Sequence, residues 1–138
     1  MNRMILVAHG KLAQEMKNSA EMICGELSEV SAIEFLKEDG FDTIQEKISA
    51  QMTDTEASYL IFTDLFGGTP YNASCGITLQ QTESKIRVLS GMSLPLILEA
   101  ANMLSHHYLD DIVKVILRIS SETVKIFQPQ LAEEQEEF

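Results

Sequence analysis

Two short stretches carry residue types that could act together on a phosphoryl group. His9 lies between an apolar run and Gly10 in Ala8-His9-Gly10-Lys11, and Asp64 closes a second apolar run in Asp64-Leu65-Phe66-Gly67-Gly68-Thr69-Pro70. A histidine beside a carboxylate is a nucleophile with a fixed tautomer: the carboxylate accepts the Nδ1 hydrogen and leaves the Nε2 lone pair to attack phosphorus. The same negative charge stabilises the positive charge that the ring develops. Gly67-Gly68-Thr69-Pro70 reads as the start of a helix, with Thr69 as N-cap and Pro70 at the first helical position, where a missing N–H costs nothing. Glycines there let backbone approach an anion, and the helix N-terminus offers free N–H groups to phosphoryl oxygens. Singly, each piece has an ordinary reading: a histidine in a turn, a flexible Gly-Gly pair, an aspartate as an Asx turn or cap. Their shared location specifies an anion or phosphate site.

That location follows from the elements that must hold them. Residues 4–7, 30–35, 59–63, 86–89 and 123–127 are short, rich in β-branched residues and bounded by Gly, Ser or Asp, and read as five strands. Between them lie helical patterns. Leu12, Met16, Ala20 and Ile23 share one face, Phe41, Ile44, Ile48 and Met52 another, and further helices are expected over residues 70–80, 94–104 and 109–120. The βαβα alternation predicts an α/β domain with an open, mostly parallel five-stranded sheet and helices on both faces. In such sheets ligands gather beyond the carboxyl ends of the strands, where the strand order reverses. An order 2-1-3-4-5 makes the first and third strands neighbours, so that His9 faces Asp64.

The remaining chemistry-bearing residues read as structural. Cys24 and Cys75 lack CxxC spacing and are expected to be small buried hydrophobes, and His106 and His107 a solvated pair at a helix end. No metal site is expected, and neither a GxxxxGK[ST] loop for ATP nor a tight carboxylate cluster for magnesium occurs. The chain has 138 residues, 45% hydrophobic, and a net charge of −11, which opposes nucleic-acid and anionic-membrane binding. Any phosphate must therefore be held by local donors rather than a basic field. One domain is expected over residues 1–128, followed by an acidic, frayed tail over 129–138. The opening residues are too short and too soon polar for a signal peptide, and no apolar run approaches a membrane span, so a cytoplasmic location is expected.

The stretch MILVAHGKLAQEMKNSAEMICG followed by IFTDLFGGTPYNAS resembles the enzyme IIA (EIIA) component of the mannose family of the phosphoenolpyruvate-dependent sugar phosphotransferase system (PTS). The likeness extends over nearly the whole chain up to the tail. It implies that His9 is phosphorylated by the phosphocarrier HPr and passes the group to an EIIB subunit, which serves the membrane subunits EIIC and EIID. It also implies that Asp64 orients the imidazole, with Gly67, Gly68 and Thr69 around the phosphoryl group and Gly10, Phe66 and Pro70 in support. Ala8 departs from the hydroxyl residue common in relatives, while Thr69 keeps a hydroxyl for a phosphoryl contact. No cofactor is implied. The resemblance further implies a homodimer in which the last strand, residues 123–127, pairs antiparallel at a sheet edge and is exchanged between subunits.

Three rival readings share some of these features. A histidine phosphatase would want an arginine before the histidine, where Ala8 stands. A non-catalytic flavin- or anion-binding module has no use for a His9–Asp64 pair. The phosphotransfer subunit serving dihydroxyacetone kinase shares the architecture and an N-terminal histidine, but the intact Gly67-Gly68-Thr69-Pro70 segment argues against it.

Overall fold

Strands buried on both faces need apolar residues without alternation, and two segments here have that character. In the computed structural model, which describes residues 1–81 and 85–130, β1 (Asn2–His9) and β3 (Ser58–Thr63) form the centre of the sheet. Met4, Ile5, Leu6, Val7 and Ala8 on β1 are buried, as are all six residues of β3. β2 (Val30–Phe35) and β4 (Ile86–Leu89) flank them and are only half-buried. The order is β2-β1-β3-β4, with all three pairings parallel.

Alternation along β1 and β3 divides the core in two. Met4, Leu6, Ala8, Leu60 and Phe62 face α1 (Leu12–Cys24), α4 (Leu94–Met103) and α5 (Leu109–Ile119), meeting Ala13, Ala20, Ile97, Ala100 and Ile112. Ile5, Val7, Tyr59 and Ile61 face α2 (Phe41–Gln51) and α3 (Thr69–Gln80), meeting Ile44, Ile48, Ala73 and Ile77. α2 and α3 approach closely at Gly76, where a Cβ would fall 2.5 Å from Gln45 Nε2. The β2–α2 connection is pinned by Asp39, which accepts from the Leu36 N–H at 2.8 Å and from Lys47 Nζ at 2.7 Å. The Lys47 ammonium is the main reason that its carboxyl lies below the usual carboxylate range.

Four expectations need correction. Residues 123–127 form no strand in this chain; Val124, Ile126 and Phe127 are 89%, 77% and 64% exposed. A strand exists only against a neighbouring edge, and the single chain does not bring this segment onto one, so its sheet has four strands among the described residues. The face of α1 is also rotated: Ala13 and Ala20 are buried, Met16 partly so, whereas Leu12 and Ile23 are exposed. Small alanines let the helix lie close on β1, which turns the larger side chains outward. Cys24 is exposed and Cys75 only partly buried. Cys24 is the last residue of α1 and spends its thiol on the Ala20 carbonyl at 3.3 Å.

His106 and His107 are exposed in the turn after α4, where both backbone N–H groups bond the Met103 carbonyl. The proposed tail, from residue 131 onward, lies outside the described residues. No helix among the described residues is long and apolar enough to cross a membrane.

Candidate active site

β1 delivers His9 and β3 delivers Asp64 at the same end of the sheet, because the two strands are adjacent and parallel with Val7 opposite Thr63. One carboxylate oxygen receives both contacts: Asp64 Oδ2 lies 3.0 Å from the His9 backbone nitrogen and 2.8 Å from His9 Nδ1. A carboxylate only accepts, so the hydrogen sits on Nδ1 and the lone pair on Nε2. The His9 side chain is 49% exposed and that of Asp64 13%. The arrangement therefore combines a sheltered orienting charge with an accessible nucleophile.

Three neighbours fix the ring. Gly10, at φ +60°, turns the chain away from the sheet while its N–H bonds the Phe35 carbonyl at 2.7 Å. Phe35 packs edge-on against the imidazole at a centroid separation of 5.3 Å. Sequence reasoning placed Phe35 only at a strand end. The pairing of His9 with Phe35 across β1 and β2 is what makes it part of the site. The third neighbour is Gly68, whose added Cβ would fall 3.2 Å from His9 Cε1 and 3.3 Å from the Leu65 carbonyl oxygen. Cε1 is the carbon between the two ring nitrogens, so the beginning of α3 lies against the edge of the ring that bears Nε2.

The cap of α3 is shifted by one residue from expectation. Gly68, extended at φ −75° and ψ 169°, is the N-cap, which places Thr69 and Pro70 at the first two helical positions. The Gly68 N–H is spent on the Leu65 carbonyl at 3.1 Å, and helical bonding starts with the Asn72 N–H on the Gly68 carbonyl at 2.9 Å. Ahead of that bond, the Thr69 and Tyr71 amides have no intrahelical acceptor, and Pro70 has no N–H. Gly67, at φ +80°, makes the turn that leads there. The helix start thus offers an anion two amides and the Thr69 hydroxyl.

Leu65 and Phe66 stand beside this site 59% and 74% exposed, with Phe66 resting on the Tyr71 ring at 4.9 Å. One turn further along α3, a hydrogen bond with Cys75 raises the Tyr71 hydroxyl above the usual phenol range. Among the described residues no group of three His, Cys, Asp or Glu side chains could hold a metal ion. A cavity of about 740 Å³ lies at the opposite end of the strands, lined in part by Asn2, Ser58, Lys85 and Arg87. Arg87 is engaged there with Asp110 at 2.7 Å, and the Asn2 amide is bonded to the carbonyls of Leu104 and His107. The paired nucleophile lies at the other end, half exposed.

A family model described as the fructose IIA component of the PTS matches residues 3–117. The chain belongs to this family. The sorbose-specific EIIA component of Lacticaseibacillus casei is 38% identical over 119 residues, covering 86% of this chain and 85% of its own. The fructose-specific EIIA component of Bacillus subtilis is 30% identical over 133 residues, covering 95% and 90%. Among solved structures, EIIA from Streptococcus agalactiae superposes with a TM-score of 0.86 at 31% identity, covering 92% of this chain and 98% of that one. The family also accounts for the α/β architecture and for a role as a sugar-PTS component.

Proposed function

We propose that this EIIA chain is a phosphohistidine carrier: His9 takes a phosphoryl group from phosphorylated HPr and passes it to an EIIB subunit that serves the membrane subunits EIIC and EIID. The observation that carries this reading is the 2.8 Å contact between His9 Nδ1 and Asp64 on a side chain that stays half exposed. In the transfer, the P–N bond of the donor phosphohistidine breaks as a bond to Nε2 of His9 forms, and the donor nitrogen keeps the electron pair. Asp64 stabilises the imidazolium character that builds up on the ring. The Thr69 and Tyr71 amides and the Thr69 hydroxyl receive the phosphoryl oxygens. Positioning and electrostatics account for the rate, as is general for phosphoryl transfer.

Openness is part of the function, because two proteins must reach one imidazole in turn. The exposed Leu65 and Phe66 give both partners an apolar surface next to it. Relatives that carry sorbose and fructose designations match the same chain, which fits a component that hands on phosphate while other subunits select the sugar. Transfer of labelled phosphate from phosphoenolpyruvate through enzyme I and HPr tests the reading directly.

Gly68 should be sensitive to the smallest enlargement. In Gly68→Ala the new methyl presses on Cε1, displacing the ring by a few tenths of an ångström and slowing transfer about tenfold. Its backbone angles suit alanine, so the thermal midpoint should hold. Rapid-quench transfer assays and thermal melts check both halves.

The functional unit spans residues 1–128, in the cytoplasm, as a homodimer. Residues 123–127 alternate around exposed Val124 and Ile126, and among the described residues no strand pairs with the outer edge of β4. Antiparallel docking of this segment on β4 of a second copy supplies the fifth strand. Ile126→Asp should convert dimer to monomer in sedimentation velocity; an unchanged dimer would remove the segment from the interface.

A further inference from the structure

Among the described residues, three buried side-chain polar atoms have no hydrogen-bond partner: Arg3 Nε, Asp64 Oδ1 and Ser93 Oγ. Arg3 lies near the start of β1, whereas Asp64 and Ser93 both follow strands at the His9 end. Buried polar atoms are nearly always satisfied, so an orphan acceptor and an orphan donor at one end of a sheet call for a joint account.

Backbone geometry brings their residues together. Phe62 pairs with Leu89 across β3 and β4, and the Met92 N–H bonds the Thr63 carbonyl at 3.1 Å. Asp64 follows Thr63 and Ser93 follows Met92, so each side chain starts one residue from that bond. α4 packs on the face of the sheet to which Leu60 and Phe62 point, and Asp64 follows β3 directly, next to the start of α4. Ser93 is the N-cap of α4 on that side. It makes no capping bond, and Pro95 in the first turn has no N–H to donate one, so the helix leaves the hydroxyl unused.

We propose that Ser93 is a positioning residue for Asp64. Its hydroxyl donates to Oδ1, directly after rotation about χ1 or through one shared water, and so holds Oδ2 on His9. The carboxylate is then gripped at both oxygens, and part of its basicity is spent on Ser93 rather than on the ring. This deepens the carrier reading and rests on it for the purpose, though not for the contact. Other charged groups near His9 are Lys11 at the start of α1 and Glu34, which pairs with Ala8 on β2; residues 90–95 add none.

Nitrogen-resolved NMR titration of His9 in the isolated full-length chain tests the contact without any phosphoryl donor. Removing the hydroxyl in Ser93→Ala makes Asp64 a stronger acceptor, so the His9 midpoint should rise by several tenths of a unit. Ser93→Thr, which keeps the hydroxyl, should stay at the wild-type value. In an Asp64→Asn background the Ser93→Ala shift should vanish. A His9 midpoint that does not move in Ser93→Ala overturns the proposal, as does a shift that persists without Asp64. A loss of thermal stability alone would assign Ser93 to the α4 cap and equally overturn it. Failure of phosphorylation at His9 would appear in the transfer assay and leave these titrations interpretable.

Discussion

Given phosphoenolpyruvate, enzyme I and HPr, the wild-type chain should gain one acid-labile phosphoryl group, and His9→Ala should gain none. The expected effect is complete because, among the described residues, only Nε2 of His9 combines a free lone pair, a carboxylate on the opposite ring nitrogen and adjacent helix amides. His106 and His107 serve as internal controls: they are exposed and accessible, yet accessibility without an orienting charge should not suffice. Intact mass before and after acid treatment reads the result. An acid-labile phosphate retained in His9→Ala would place the acceptor elsewhere and overturn the carrier assignment at this residue.

The second large effect is expected at Asp64. In Asp64→Asn the amide can still meet Nδ1 through its oxygen, but the negative charge that stabilises the developing imidazolium is gone. The amide can also flip and present its NH2, which favours the wrong tautomer. Transfer should slow by about 10²-fold or more, with the fold retained because asparagine has the same shape as aspartate and keeps an oxygen to accept from the His9 backbone N–H. Single-turnover rates from phosphorylated HPr, compared with a circular dichroism melt, separate chemistry from folding. Wild-type transfer rates in Asp64→Asn would remove the aspartate from the mechanism.

Much of this site is legible in the sequence because it depends on local signals. The apolar runs at residues 4–7 and 59–63 predict central strands, and their strand character alone places His9 and Asp64 at the same end once the order is known. The Gly-Gly-Thr-Pro segment announces a helix start to within one residue; the cap shifts to Gly68 because its extended backbone, rather than a side-chain bond from Thr69, closes the end. What sequence reasoning misses is set by distant partners. Phe35 joins the site only through strand register. The burial of Ala13 in place of Leu12 follows from how closely α1 lies on β1, which periodicity cannot report. Residues 123–127 have strand composition, yet composition does not supply an edge, and in a single chain none is reached.

Asp64 Oδ2 bears two contacts from one residue. Because the same oxygen accepts from both the imidazole and the backbone nitrogen of His9, any movement of the carboxylate would release the ring and the end of β1 together. On the proposed carrier reading, His9 is a fixed station rather than an arm, and the partners come to the phosphoryl group. The direction of flow is then decided by which partner docks and by the relative transfer potential of its phosphohistidine, with no conformational cycle required of the carrier.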